Sequence, residues 1–299
     1  MPHSVRPQAV IEAVNLSARI VGRDVLRNVS VSIQSGSTTV LLGGTGSGKS
    51  ALLHATIGII RRSSGSMSVF GMDPDDRKAA CKIRSRCGFV PQNKTLYGNY
   101  SVQEMCRFSS RMFSGWQKHL ESRLLDRFEL RPHQMIRDLS PSRRALLSTA
   151  LALSHAPELL LLDEPFDDLD PAASQNLLQA LVEASGDGAT LVIATNSPER
   201  VEGVADQAMY FQDGELVIST LVEDIRRNWR CITAHFTDLA MLPSLPVSGI
   251  EYTRNEGKMV EWVVSKNASE IVAVIESLGA VSVQVDALTM YSLFSRFPK

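Results

Sequence analysis

The sequence predicts an α/β protein: a mainly parallel sheet with helices on both faces, an antiparallel β subdomain, a helical subdomain and a small C-terminal α+β domain. Three observations carry this expectation. Apolar runs of strand length in "TTVLL", "LLLLDEP" and "ATLVIAT" alternate with helical patterns, as parallel strands covered on both faces require. Val10 to Ile33 reads instead as alternating strands broken by "VGRD", a hairpin-like turn at Gly22. Beyond Asn228 the strand patterns "WRCITAHF", "SGIEYTR", "MVEWVVS" and "AVSVQV" gather around one helix, Ala268 to Leu278, with "RNEGK" as a hairpin turn.

Between these landmarks, Ser50 to Ile60 follows the helical period, Cys87 to Gln92 reads as strand and turn, and Val102 to Phe128 reads as a helical stretch. A further helix opens at Ser140, and another covers Ala172 to Ala184. The expected boundaries are a first domain over residues 1–228, with its helical subdomain at about 93–140, and an accessory domain over 229–299.

Length and composition narrow the field. The 299 residues suffice for one large domain and a smaller one. With 44% hydrophobic residues, 21% charged residues and a net charge of −1, nothing in the balance points to a nucleic-acid partner. "MPHSVRPQAVIEAVNLSARI" lacks an apolar core of leader length, and no later run reaches the roughly eighteen apolar residues of a membrane helix, so the cytosol is expected. Cys81, Cys87, Cys106 and Cys231 lack metal-site spacing and read as free buried thiols, and the histidines form no ligand pattern. Trp116, Phe113 and Phe128 are spaced for a helical apolar face, read as core before partner groove, and "RRNWR" reads as a solvated helix end.

The chemistry starts at "GGTGSGKS", which fits G-x-x-x-x-G-K-[ST] between an apolar strand and a helix, the P-loop NTPase arrangement. Backbone amides from Gly43 through Gly44, Thr45, Gly46, Ser47 and Gly48 to Ala51 can turn inward as an anion nest at the helix start. Lys49 would reach the terminal phosphates of ATP, and Ser50 would ligate Mg2+. "LLLLDEP" ends a buried strand where ligands collect in an open parallel sheet, which makes Asp163 a candidate for the magnesium shell and Glu164 the candidate base for an attacking water.

The order of these motifs resembles the ATP-binding cassette (ABC) family, over about Val10 to Leu221. "FVPQ" places Gln92 at the glutamine loop, where the resemblance implies contact with metal or water, although a polar turn is the plainer alternative. "DLSPSRR" falls at the signature, and "DDLDP" places Asp170 at the loop after the acidic strand. Within the family, "FSGWQKHLESRLLDRFEL" and the tail are similar to bacterial cassettes of the ABC-2 exporter type. The resemblance implies two cassettes closing face to face, each ATP covered by the signature of the other, beside an integral membrane transporter subunit. It also implies a peripheral location on the cytoplasmic face of the plasma membrane.

Several positions depart from the family pattern. Where L-S-G-G-Q is usual, the chain has Leu139, Ser140, Pro141, Ser142 and Arg143. Ser140 can cap the helix and offer its hydroxyl to a phosphate, or only cap it; Pro141 removes an amide, and Ser142 adds a side chain where close approach is expected. Asn196 stands where a histidine is usual, and an amide cannot titrate. Ile20 stands where an aromatic ring commonly stacks on adenine. These departures imply a slowly hydrolysing motor subunit with a second cassette, identical or not. A regulatory nucleotide-binding subunit without turnover and a soluble ABC-type ATPase remain alternatives.

Overall fold

The computed structural model describes residues 9–237, 245 and 247–297, so the first eight residues of the stretch read for a leader lie outside the described residues. The chain separates into two compact units that divide between Ser219 and Thr220.

The first unit opens with a hairpin, β1 (Ala9–Ile20) and β2 (Arg23–Gln34), whose turn sits at Gly22. Then come β3 (Thr38–Leu42), α1 (Lys49–Thr56), β4 (Arg62–Val69), α2 (Arg77–Arg86) and β5 (Cys87–Val90). Next are α3 (Val102–Ser110), α4 (Lys118–Arg127), α5 (Pro141–Leu153), β6 (Leu159–Asp163), α6 (Pro171–Gly186), β7 (Thr190–Ala194), β8 (Gln207–Gln212) and β9 (Glu215–Leu221).

Two sheets share this unit. The larger runs β5-β6-β7-β3-β8-β9, and β5, β6, β7, β3 and β8 pair in parallel. The smaller sheet runs β2-β1-β4 and is antiparallel. Every residue of β3, β6 and β7 is buried, as strands covered on both faces must be. Each fully buried leucine of "LLLL" contributes about 2 kcal/mol of transfer free energy. Leu16, Leu26 and Ile33 of the hairpin pack in one apolar cluster with Leu52 and Leu53 of α1 and Leu41, Leu161, Val192 and Met209 of the large sheet. The loop between β3 and α1 is thereby held from both sheets.

Three expectations need correction. Val102 to Phe128 is not one helical stretch: α3 and α4 are separated by Arg111–Gln117, where Ser114 and Gly115 interrupt the period. Phe113 and Trp116 therefore lie on no helix. Phe113 stacks on His155 at 4.0 Å between centroids, Trp116 Nε1 donates to Glu121 Oε2 at 2.8 Å, and Phe128 is buried at the end of α4. Of the four cysteines, Cys81 is exposed, because α2 is amphipathic and turns only Ala80 and Ile83 into the core.

The second unit holds α7 (Val222–Asn228), β10 (Arg230–His235), β11 (Ile250–Glu256), β12 (Met259–Val264), α8 (Ala268–Ser277), β13 (Ser282–Ala287) and α9 (Met290–Phe294). Its sheet is antiparallel in the order β11-β12-β10-β13, and Gly257 sits in the β11–β12 turn with φ of 65°. Ile232, Ala234, Val260, Trp262 and Val264 bury one face against Ile271 and Ile275 of α8. In "RRNWR", Arg230 closes α7 by donating to the carbonyls of Arg227 at 2.9 Å and Trp229 at 2.8 Å, and Trp229 is buried.

Candidate active site

The loop from Gly43 to Ser50 depends on two glycines. A Cβ at Gly43, whose φ is 142°, would stand 2.1 Å from the carbonyl oxygen of Phe211 and 2.6 Å from Ser47 Oγ. Gly48 begins α1 in the left-handed region with φ of 112°, where an L side chain is strained and the Val25 carbonyl leaves only 3.0 Å for a Cβ. Ser47 donates its N–H to Gly44 O at 3.2 Å and accepts at its own carbonyl from Gly214 N at 3.0 Å. Its hydroxyl oxygen is buried without a partner among the described residues. Thr45 and Gly46 form the exposed crest, while Ala51 is buried beneath and Ser50 is half-buried.

Lys49 is 5% exposed and donates to Gly43 O at 2.6 Å, Gly44 O at 3.0 Å and Asn196 Oδ1 at 3.1 Å. Its ammonium lies 3.9 Å from Glu164 Oε1. Burial pushes its pKa down, opposed by the charges of Glu164 and Asp163.

Strand β6 delivers the carboxylates. Asp163 is its last residue, 3% exposed, and Oδ1 has no hydrogen-bond partner among the described residues. Glu164 follows at φ 44°, left-handed for a residue that avoids it, and is held by several bonds. Its N–H donates to Ala194 O at 2.9 Å, and Oε2 accepts from Asn196 N at 3.0 Å. Its carbonyl accepts from Asp167 N at 3.2 Å and Lys94 Nζ at 3.0 Å. Burial holds the Glu164 carboxyl above the ordinary carboxylate range, against the bond from Asn196 and the charge of Lys49.

Asp163 Oδ1 is the observation that tests magnesium. A buried carboxylate oxygen lacking a protein donor, at the end of the strand beside the Lys49 loop, fits a hard cation that takes oxygen ligands. Gln92, in contrast, is exposed beyond β5, outside the hydrogen-bonded cluster.

The structure thus brings Gly43, Gly44, Lys49, Glu164 and Asn196 into one hydrogen-bonded group with Asp163 beside it. A second group forms apart from it. Ser140 caps α5 by accepting from Arg143 N at 3.2 Å, with Pro141 at the first helical position. Asp170 caps α6 by accepting from Ala173 N at 2.8 Å, and Ser142 Oγ reaches Asp170 Oδ2 at 3.5 Å. Ile20 ends β1 and is 42% exposed. Sequence reasoning missed Lys94, which bonds the Glu164 carbonyl, and Thr195, whose hydroxyl accepts from Ser197 N at 3.0 Å.

The sequence model of the family described as ABC transporter matches residues 26–167. The chain carries an ABC transporter ATP-binding cassette domain. A model described as an AAA domain, putative AbiEii toxin, also matches residues 142–202 of this cassette. The ABC transporter ATP-binding protein YtrB of Bacillus subtilis is 27% identical over 252 residues, covering 82% of this chain and 85% of its own length. The linearmycin resistance ATP-binding protein LnrL of the same organism is 26% identical, covering 70% of this chain and 68% of its own. A solved ATP-binding subunit of an ABC transporter superposes with a TM-score of 0.66 at 25% identity, covering 73% of this chain and 92% of that one. The cassette is accordingly an ATP-binding subunit of the ABC transporter class.

Proposed function

We propose that the cassette is the slowly hydrolysing motor subunit of a membrane exporter, paired with a second, non-identical cassette. The observation that supports this most is the cluster of Lys49, Glu164 and Asn196, which sets a buried cation, a buried carboxylate and an amide around one strand end. In this reading, the loop amides and Lys49 hold the phosphates of ATP. Glu164 accepts a proton from the water whose oxygen attacks the γ-phosphorus, as the bond from that phosphorus to the bridging oxygen breaks. Ser50 and Asp163 would hold magnesium, which when bound draws charge from the phosphate oxygens, and Gln92, exposed beyond β5, would join them only on movement of its loop.

Asn196 and the signature support slow turnover. The side-chain oxygen of Asn196 is committed to Lys49, and Pro141 offers no N–H at the start of α5. Ser140, Ser142 and Asp170 are the residues offered to ATP bound on the partner cassette. A regulatory subunit that binds without turnover is the second reading, favoured by the same two features and opposed by Glu164.

The membrane partner is proposed to dock beside α3. Among the described residues no helix is long and apolar enough to cross a membrane. Tyr97, Tyr100 and Phe108 form a mutually packed exposed triad, with centroids 5.5 to 6.0 Å apart, in which the two tyrosines precede α3 and Phe108 lies on it. That patch is distinct from Phe113, Trp116 and Phe128, which read as core before partner groove and of which Phe128 is buried. The location proposed is peripheral, on the cytoplasmic face of the membrane.

Calorimetry with Mg·ATP and phosphate release by the cassette with its native companion proteins test the proposal. Binding is expected, with measurable release that falls on Glu164→Gln. Binding with no release from either would leave the regulatory reading.

A further inference from the structure

The loop after β5 carries one cation that no motif explains. Lys94, two residues beyond Gln92, is half-buried, and its ammonium donates to the backbone carbonyl of Glu164 at 3.0 Å. That carbonyl also accepts from Asp167 N at 3.2 Å, so two donors fix the peptide plane that leaves Glu164. Asp163, Glu164, Asp167 and Asp168 all lie within electrostatic reach of Lys94.

The partner matters more than the charge. A lysine facing exposed carboxylates swings among them and fixes little, because each pairing is weak in water. A lysine bonded to a main-chain oxygen at the end of a buried strand meets a target that cannot swing. Glu164 is the residue that needs such a hold, since its φ of 44° is one its own local preferences oppose. Rotation of the peptide plane between Glu164 and Pro165 would carry the glutamate backbone with it, and the side-chain carboxylate would move off Asn196 N.

We infer that Lys94 is a positioning residue: it ties the loop that follows β5 to the backbone of Glu164 and holds that carboxylate in place for hydrolysis. The inference rests on the reading of Glu164 as the base. It gives the Gln92 loop a direct mechanical link to the hydrolytic carboxylate within one chain, so a displacement of the loop reaches Glu164 through a single hydrogen bond.

Two variants of the full chain test it. Lys94→Met keeps the stem and removes the donor, and Lys94→Arg restores a donor. With native companion proteins present, Lys94→Met is expected to lower kcat about tenfold while KM for ATP changes less than about twofold, and Lys94→Arg to recover most of the loss. In the full-length chain alone, exchange of the Asp167 amide should quicken several-fold, roughly, in Lys94→Met and return toward the parental rate in Lys94→Arg. Parental kcat or parental Asp167 exchange in Lys94→Met overturns the inference. Glu164→Gln measured alongside separates the failures. Undiminished phosphate release there removes the reading of Glu164 itself, whereas loss there with none in Lys94→Met removes Lys94 alone.

Discussion

Lys49 donates to the side-chain oxygen of Asn196 across 3.1 Å, while the backbone N–H of the same asparagine donates to Glu164 at 3.0 Å. One residue therefore touches both the cation of the loop and the carboxylate of β6. The orientation fixes which end of the amide is in use: the oxygen accepts from the ammonium, so any side-chain donation to a phosphate falls to the neutral NH2.

An imidazole at this position presents a donor that can carry positive charge where negative charge develops. Asn196→His is expected to raise phosphate release about tenfold or more, since well-placed donors of this kind are worth about that and upward. Steady-state release by parent and variant, each with native companions, measures it. No increase would remove the argument from the missing imidazole.

Gly43→Ala should damage both stability and nucleotide binding. The added methyl would sit 2.1 Å from the Phe211 carbonyl at a φ of 142°, and neither a strand backbone nor this dihedral yields cheaply. A loss of about 3 kcal/mol or more is expected, read by denaturant unfolding. Weakened Mg·ATP binding in calorimetry should accompany it.

Ser140 has one visible task and one proposed task, and two substitutions divide them. Ser140→Ala removes the acceptor for Arg143 N and should cost about 1 kcal/mol of stability. Ser140→Asp supplies another good cap and should restore the thermal midpoint, yet it places a negative charge where a phosphate is proposed to sit. Turnover is expected to stay low in Ser140→Asp. If turnover instead recovers along with the midpoint, capping is the whole role of Ser140.

His155 gives the chain an acid-sensitive point away from the site. It is buried, stacked on Phe113, and burial holds its imidazole at about 4 against an ordinary 6.5. The unfolded chain therefore binds a proton at this residue through 6.5 while the folded chain resists until about 4. Stability is present above that window and is lost as pH falls through it, with a slope of at most about 1.4 kcal/mol per pH unit for one proton. Thermal midpoints at pH 7 and pH 5 should draw together in His155→Phe compared with the parent. An equal drop in both chains would assign the acid sensitivity to other groups.

Local pattern made much of this legible in the sequence. The buried strands around "LLLLD", the glycine loop ahead of α1, the Ser140 cap followed by Pro141 and the hairpin at Gly22 each announce themselves within about ten residues. The error at Phe113, Trp116 and Phe128 arose because their spacing fits a helix, while Ser114 and Gly115 between them break it. What the sequence could not disclose are pairings across long separations. Lys94 and Glu164 are seventy residues apart, and Lys49 and Asn196 are 147 apart, so no local window holds both partners. The left-handed backbone of Glu164 was equally hidden, since it follows from bonds to Ala194, Asn196, Asp167 and Lys94.

That backbone bears on how such a chain can change over generations. At φ of 44°, glycine or asparagine would be more at ease than glutamate, and random substitution offers them freely. A lineage relieved of any demand for ATP cleavage would gain firmness by accepting them. The chain departs from the residues the family resemblance implies at the signature and at 196, yet it carries glutamate at a strained backbone position. On the proposed reading, that strain is what it costs to hold a carboxylate where water is to be activated.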